Sequence, residues 1–283
     1  MDEIYASGEL FDAAAVQAHH WQWLEQGSAA DIEINAFPHE GSRVRAAIEG
    51  KLPGVDVVVQ PAAGRRKRLL AADMDSTMIT VECIDELADY AGVKPQVAEI
   101  TERAMQGELD FAGALRERVA LLEGLEAATI EQCLAERICP NPGAATLVRT
   151  MRARGAETVL VSGGFTAFVA PIADQIGFDR FEANVLGLRG SRLSGLTDGP
   201  IVDAGRKHDL LSEARDRLGL AGDATMAIGD GANDIPMIEE AGLGIAFRAK
   251  PALVAVADAR LDHHDLSALL WAQGISRAEW IEA

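Results

Sequence analysis

The sequence predicts an α/β protein: a doubly wound, Rossmann-like parallel sheet with an inserted helical-bundle cap and a small α+β segment ahead of it. Three observations lead there. Apolar runs of strand length at 69–72, 158–161, 225–228 and 243–247 are separated by stretches of helical periodicity, the alternation that produces parallel strands joined by helices. Residues 82–139 read almost entirely as helix. The polar motifs all fall just beyond the strand runs, where sheets of this kind place their ligands.

Composition narrows the function. The 283 residues are 48% hydrophobic and 25% charged, enough to bury a full core. A formal net charge of -18 opposes nucleic acid and anionic membranes, so neither is expected as a partner. An anionic substrate would then need a locally positive site or a metal. Met1-Asp2-Glu3-Ile4 lacks a signal-peptide pattern, and no apolar run approaches the roughly 18 residues that span a bilayer. A cytoplasmic setting is expected. The three cysteines, Cys83, Cys133 and Cys139, have no CxxC spacing, which points to reduced thiols rather than disulfides or zinc.

In chain order, residues 1–63 form a separate small unit. Asp31-Ile32-Glu33-Ile34 and Val55-Asp56-Val57-Val58-Val59 read as strands, with a short helix between Gly41 and Gly50. Pro61-Ala62-Ala63-Gly64 is a linker signal, and the basic run Arg65-Arg66-Lys67-Arg68 suits a solvated strand entrance. The cap region offers four amphipathic stretches: Ile84, Leu87, Ala88 and Ala91, closed by Gly92; Val97, Ile100, Ala104 and Met105, up to Gly107; Leu115, Val119 and Leu122, to Gly124; and Ile130, Cys133 and Leu134. From Pro140 strands and helices alternate, with helices over 143–154 and 205–218 and Gly-rich hairpins over 181–203. His263-His264 makes a poor metal pair, because neighbours in a strand point apart.

Four motifs carry chemistry. Asp73-Met74-Asp75-Ser76-Thr77 follows the first core strand; carboxylates two residues apart on an extended chain face one space, which suits a nucleophile and an acid/base partner. Taken alone, the string also fits a turn that caps the next helix. Ser162-Gly163-Gly164 offers a hydroxyl and approachable N–H groups for a phosphate, or simply a Gly-rich turn. Lys207, with Arg206 beside it, stands near a helix start and can neutralise phosphate, or be solvated. Gly229-Asp230-Gly231-Ala232-Asn233-Asp234 supplies hard oxygen ligands suited to Mg²⁺.

In this order the four motifs resemble the haloacid dehalogenase (HAD) superfamily of phosphohydrolases. From about residue 69 to 269 the resemblance narrows to the phosphoserine phosphatase family, through Glu82, Ile84, Asp85 and Glu86, through Glu102–Phe111 and Leu115–Val119, and through Ala246–Pro251. It implies a HAD-like domain over 64–283, with its core at 64–81 and 140–283 and its cap at 82–139. It implies Mg²⁺-dependent hydrolysis of O-phospho-L-serine, the last step of serine synthesis. Asp73 would be the nucleophile and Asp75 the acid and base. Asp73, the Asp75 carbonyl and Asp230 would hold Mg²⁺, with Asn233 and Asp234 supporting; Asn233 also counts among the substrate-binding residues. Ser162, Gly163 and Lys207 would bind the phosphoryl group, Glu82 the substrate ammonium and Arg118 its carboxylate, with Met105 and Phe111 as an apolar wall. Without the resemblance, Arg118 reads as a solvated helix residue and Met105 and Phe111 as ordinary packing.

Phosphohomoserine or phosphothreonine is the alternative substrate, and a phosphoamino-acid sensor without turnover is the rival of another class. Intact Asp73 and Asp75 speak against the sensor. Family members often carry regulatory ACT domains ahead of the catalytic part; residues 1–63 are short for one and resemble a partial ACT-like domain. Cys83 stands where the family pattern has threonine. A homodimer is left open by the sequence.

Overall fold

A computed structural model describes residues 17–36, 40–105 and 108–282. Met1–Ile4 and Gly107, which figured in the sequence expectations, lie outside them. A seven-stranded sheet forms the centre: β3 (Leu69–Ala72), β4 (Glu157–Phe165), β5 (Arg180–Arg189), β6 (Arg192–Asp198), β7 (Thr225–Gly229), β8 (Gly244–Phe247) and β9 (Ala259–Leu261). Their order is β6-β5-β4-β3-β7-β8-β9, parallel except for the β5–β6 hairpin. Both faces are covered, as parallel strands require. Leu70, Ala72, Leu160 and Ile228 point to one cluster, and Leu69, Ala71, Val161 and Ala227 to the other, the two-residue alternation of a strand. The first face packs against helices α6 (Ala144–Ala153) and α7 (Thr166–Ile176), the second against α8 (Ala204–Arg217) and α9 (Ile235–Glu240). Two short helices, α10 (Pro251–Val254) and α11 (Ala268–Ala272), complete the core.

Between β3 and α6 stand four helices, α2 (Cys83–Tyr90), α3 (Lys94–Met105), α4 (Phe111–Ala120) and α5 (Ala128–Arg137). Their buried residues, Leu87, Val97, Leu115, Val119 and Cys133, join the first core cluster. The chain leaves and re-enters the core at one clasp. Ile79 bridges Pro140, the Thr80 N–H donates to Cys139 O at 3.1 Å, and the Asn141 side-chain amide donates to the carbonyls of Thr77 and Ile79 at 2.8 and 3.0 Å.

The N-terminal unit differs from expectation in two places. Strand β1 (Gln17–Glu25) pairs antiparallel with β2 (Ala29–Asn35); only β2 was expected, because His19-His20-Trp21-Gln22-Trp23 does not carry a plain apolar alternation. The segment Val55–Val59 is not a strand. It is a strap shared by two cores: Val57 and Val59 pack with Val44 and Ile48 of helix α1 (Gly41–Ile48), and Val58 packs on the main cluster. That division explains its apolar alternation without a ladder. Asp56 fastens the strap, accepting from the N–H groups of Asp262, His263 and His264 at 2.8, 3.2 and 2.9 Å and contacting His264 Nδ1 at 2.9 Å. No described helix is long and apolar enough to cross a membrane.

Candidate active site

The three central strands β4, β3 and β7 end side by side, and each delivers one motif. At the end of β3 Asp73 is still extended, and its Oδ1 accepts from the Met74 N–H at 2.8 Å and lies 2.6 Å from Lys207 Nζ. The chain then turns through Ser76, whose φ of 55 lies in the left-handed region, a strained position for a residue with a side chain. The turn is held by the Ser76 N–H on Val81 O at 3.2 Å and by the Ser76 hydroxyl donating to Glu82 Oε1 at 2.6 Å. It leaves the Asp75 carboxylate between two elements. One oxygen accepts from the Cys83 N–H at 2.8 Å, and the other accepts from the Ser162 hydroxyl at 3.3 Å.

Beyond β7, Asp230 and Asp234 complete an acidic cluster with Asp73. All three are buried, and one oxygen of each lies within 4.8 Å of the others. Asp234 is saturated: Oδ1 accepts from Lys207 at 2.7 Å, and Oδ2 from the N–H groups of Asp230 and Gly231 at 3.2 and 3.1 Å. Lys207, 1% exposed, therefore bridges two carboxylates. Burial works against its charge, but Asp234 and Asp73 outweigh that and hold its pKa above the ordinary lysine value. Burial pushes Asp73 well up, and the Asp234 charge adds to this, more than Lys207 restores. Burial lifts Asp230 to about 6, opposed by Lys250, whose Nζ is 3.9 Å away. Three buried carboxylates against one buried ammonium, with the exposed Lys250 at the edge, are more negative charge than the pocket balances. A hard divalent cation is what such an oxygen donor set accepts.

Asp75 is lifted to about 6, first by burial and then by the charge of Glu82. A carboxyl tuned there can give and take a proton near neutral pH.

The third motif forms a tight cradle. Ser162 Oγ accepts from the Gly164 N–H at 2.8 Å. A Cβ on Gly163 would meet the Phe111 ring at 2.8 Å, and one on Gly164 would meet Asp75 Oδ2 at 2.7 Å. Both glycines are therefore required by close approach: the cap ring rests on one and the acid on the other.

The cap side is looser. Arg118 is half-buried on α4, with its Nε donating to Ala114 O at 3.3 Å. Burial pulls its pKa down, while Asp85, Glu82 and Asp75 pull it up. Asn233 Oδ1 closes over Gly231. Met105 does not join the apolar wall expected of it, being 72% exposed. The buried stripe of α3 is Val97 and Ile100, and a residue five positions past Ile100 falls well off that stripe. Arg206 is likewise drawn away, paired with Glu182 and Glu213. Two site neighbours were given no role from the sequence. Lys250 stands beside Asp230, and Asn184, buried on β5, donates to Gly163 O.

The family of haloacid dehalogenase-like hydrolases matches residues 67–242, the stretch that carries all these motifs. The chain belongs to the haloacid dehalogenase-like hydrolases. The hydrolase is 47% identical over 231 residues to the phosphoserine phosphatase SerB2 of Mycobacterium tuberculosis, covering 81% of this chain and 56% of that one. It is 45% identical to the phosphoserine phosphatase of Albidiferax ferrireducens, covering 72% and 88%. A solved phosphoserine phosphatase carrying a phospho-aspartyl intermediate analogue superposes with a TM-score of 0.68 at 39% identity, over 73% of this chain and 98% of that one. The hydrolase thus spans little more than half the length of its mycobacterial relative.

Proposed function

We propose that this hydrolase removes the phosphoryl group of O-phospho-L-serine, the last step of serine synthesis, through an aspartyl-phosphate on Asp73. The observation that carries the reading is the placement of that one carboxylate. Its Oδ1 is fixed by Met74 and Lys207, and Asp75, an acid of raised pKa, stands two residues along. The phospho-aspartyl analogue in a phosphoserine phosphatase of the same fold supports it.

In the proposed reaction Asp73 Oδ2 attacks phosphorus as the bond to the seryl oxygen breaks, and Asp75 gives its proton to that leaving oxygen. Asp75, now ionised, takes a proton from the water that attacks the aspartyl-phosphate. Phosphate leaves, and both carboxyls return to their starting states. Ser162, the Gly163 N–H, Lys207 and Asn233 hold the phosphoryl oxygens. Asp73, Asp230 and the Asp75 carbonyl, with Asp234 behind them, would bind Mg²⁺, which supplies positive charge against the phosphoryl group.

Phosphoserine has two further charges, and the cap meets each. Glu82, fixed by the Ser76 hydroxyl, faces the ammonium. Arg118 grips the carboxylate with a planar fork that lysine lacks. Phe111, on Gly163, lines the space between. We assign residues 82–139 as the cap, 64–81 and 140–283 as the catalytic core, and 1–63 as a small N-terminal segment strapped to that core.

The test is a rapid acid quench with phosphoserine labelled on phosphorus. Wild type is expected to carry label on protein, whereas Asp73→Asn stays folded, carries none, and loses about 10⁴-fold or more in kcat. Normal turnover by Asp73→Asn would sink the mechanism.

A further inference from the structure

We propose that Asn184 is a positioning residue that clamps the Ser162–Gly164 cradle to the segment leading into Lys207, and so sets the affinity of the site for phosphoryl groups. This rests on the reading of that site as a phosphatase centre.

The need for a clamp follows from the backbone. β4 pairs with β5 residue by residue up to Ser162↔Ala183, and the next pair is Phe165↔Asn184. Gly163 and Gly164 therefore bulge out of the ladder, which frees the Gly163 N–H from the ladder to meet a ligand, turns the Gly164 N–H onto Ser162 Oγ and leaves the Gly163 carbonyl without a strand partner. The Asn184 side chain, 1% exposed, supplies one: its Nδ2 donates to Gly163 O at 2.8 Å. Its other end is used as fully. Oδ1 accepts from the Val202 N–H at 2.8 Å, with Nδ2 3.5 Å from Val202 O.

Val202 is buried and directly precedes Asp203, whose carboxylate caps α8 on the Arg206 N–H at 2.9 Å and whose carbonyl accepts from the Lys207 N–H at 3.0 Å. One amide thus spans both anion-binding elements, the bulge and the helix that carries Lys207. Only a side chain with a donor and an acceptor fits. Asp in the same shape keeps the Val202 bond but sets an oxygen against the Gly163 carbonyl, leaving two acceptors face to face.

The experiment compares wild type, Asn184→Ala and Asn184→Asp, each checked for a cooperative melt. The readouts are kcat and KM on phosphoserine and p-nitrophenyl phosphate, and Ki for inorganic phosphate. Both variants are expected to raise both KM values and the phosphate Ki together, by about 10-fold for Ala and by more for Asp, with a smaller change in kcat. Because the clamp acts on the shared phosphoryl end, the two substrates should suffer alike. A fall in kcat with KM and Ki unmoved would overturn the proposal, as would unchanged kinetics. Failure of both variants to fold would also overturn it, since Asn184 would then be structural. A wild type that releases no phosphate would instead defeat the phosphatase reading, and the two failures are distinct.

Discussion

The core and cap halves of the site are built on opposite plans. Beyond β3 and β7 the central charges are buried and paired: Lys207 bridges Asp73 and Asp234, and Asp234 uses both oxygens. On the cap side Glu82 accepts from a serine hydroxyl, Arg118 donates to a carbonyl and faces the charges of Asp85, Glu82 and Asp75, and Met105 stands in solvent. Groups that act on a developing charge gain from being fixed before the substrate arrives. Groups that recognise a zwitterion must leave their charges available for it. Under the proposed reading, the difference gives bond-breaking to the core and substrate choice to the cap.

Three outcomes would break or sharpen that division. The largest effect belongs to the core: chelation with EDTA is expected to abolish phosphate release from every phosphomonoester alike, with Mg²⁺ restoring it. Because burial lifts Asp230 to about 6, Mg²⁺ must displace a proton below that pH. Apparent affinity should therefore weaken about 10-fold between pH 7 and 5 for one such proton; titration calorimetry in two buffers would count the proton released. The middle effect belongs to the cap. Arg118→Ala should raise KM for phosphoserine about 10- to 100-fold, as for one charged hydrogen-bonded contact, while sparing p-nitrophenyl phosphate. Equal losses on both would place Arg118 in the chemistry. The smallest is Met105→Ala, expected to change kcat/KM by no more than about 3-fold, as for an exposed side chain. A large loss would restore Met105 to the wall.

The core half was legible in the sequence because its residues follow strand ends in short strings. Asp73 and Asp75 share one turn, Asp230 and Asp234 another, and local geometry brings each pair together. Lys207 was legible as a lysine near a helix start, but its bridge to Asp73 and Asp234 is a tertiary fact. Asn184 was not legible: it is one amide in a Gly-rich hairpin region, and its partners are backbone groups 21 and 18 residues away in the chain. Met105 was misplaced because its apolar character suited two helical faces, and only the packing of Val97 and Ile100 chose between them. Val55–Val59 had strand periodicity for another reason, two cores on either side of a strap.

The most direct test of the division is phosphate release by wild type with Mg²⁺ from phosphoserine, phosphothreonine, phosphohomoserine and p-nitrophenyl phosphate, compared as kcat/KM. The account predicts a strong preference for phosphoserine, with p-nitrophenyl phosphate still turned over by the same core. Similar values on all four would contradict it: Glu82 and Arg118 would then have no part in choosing the substrate.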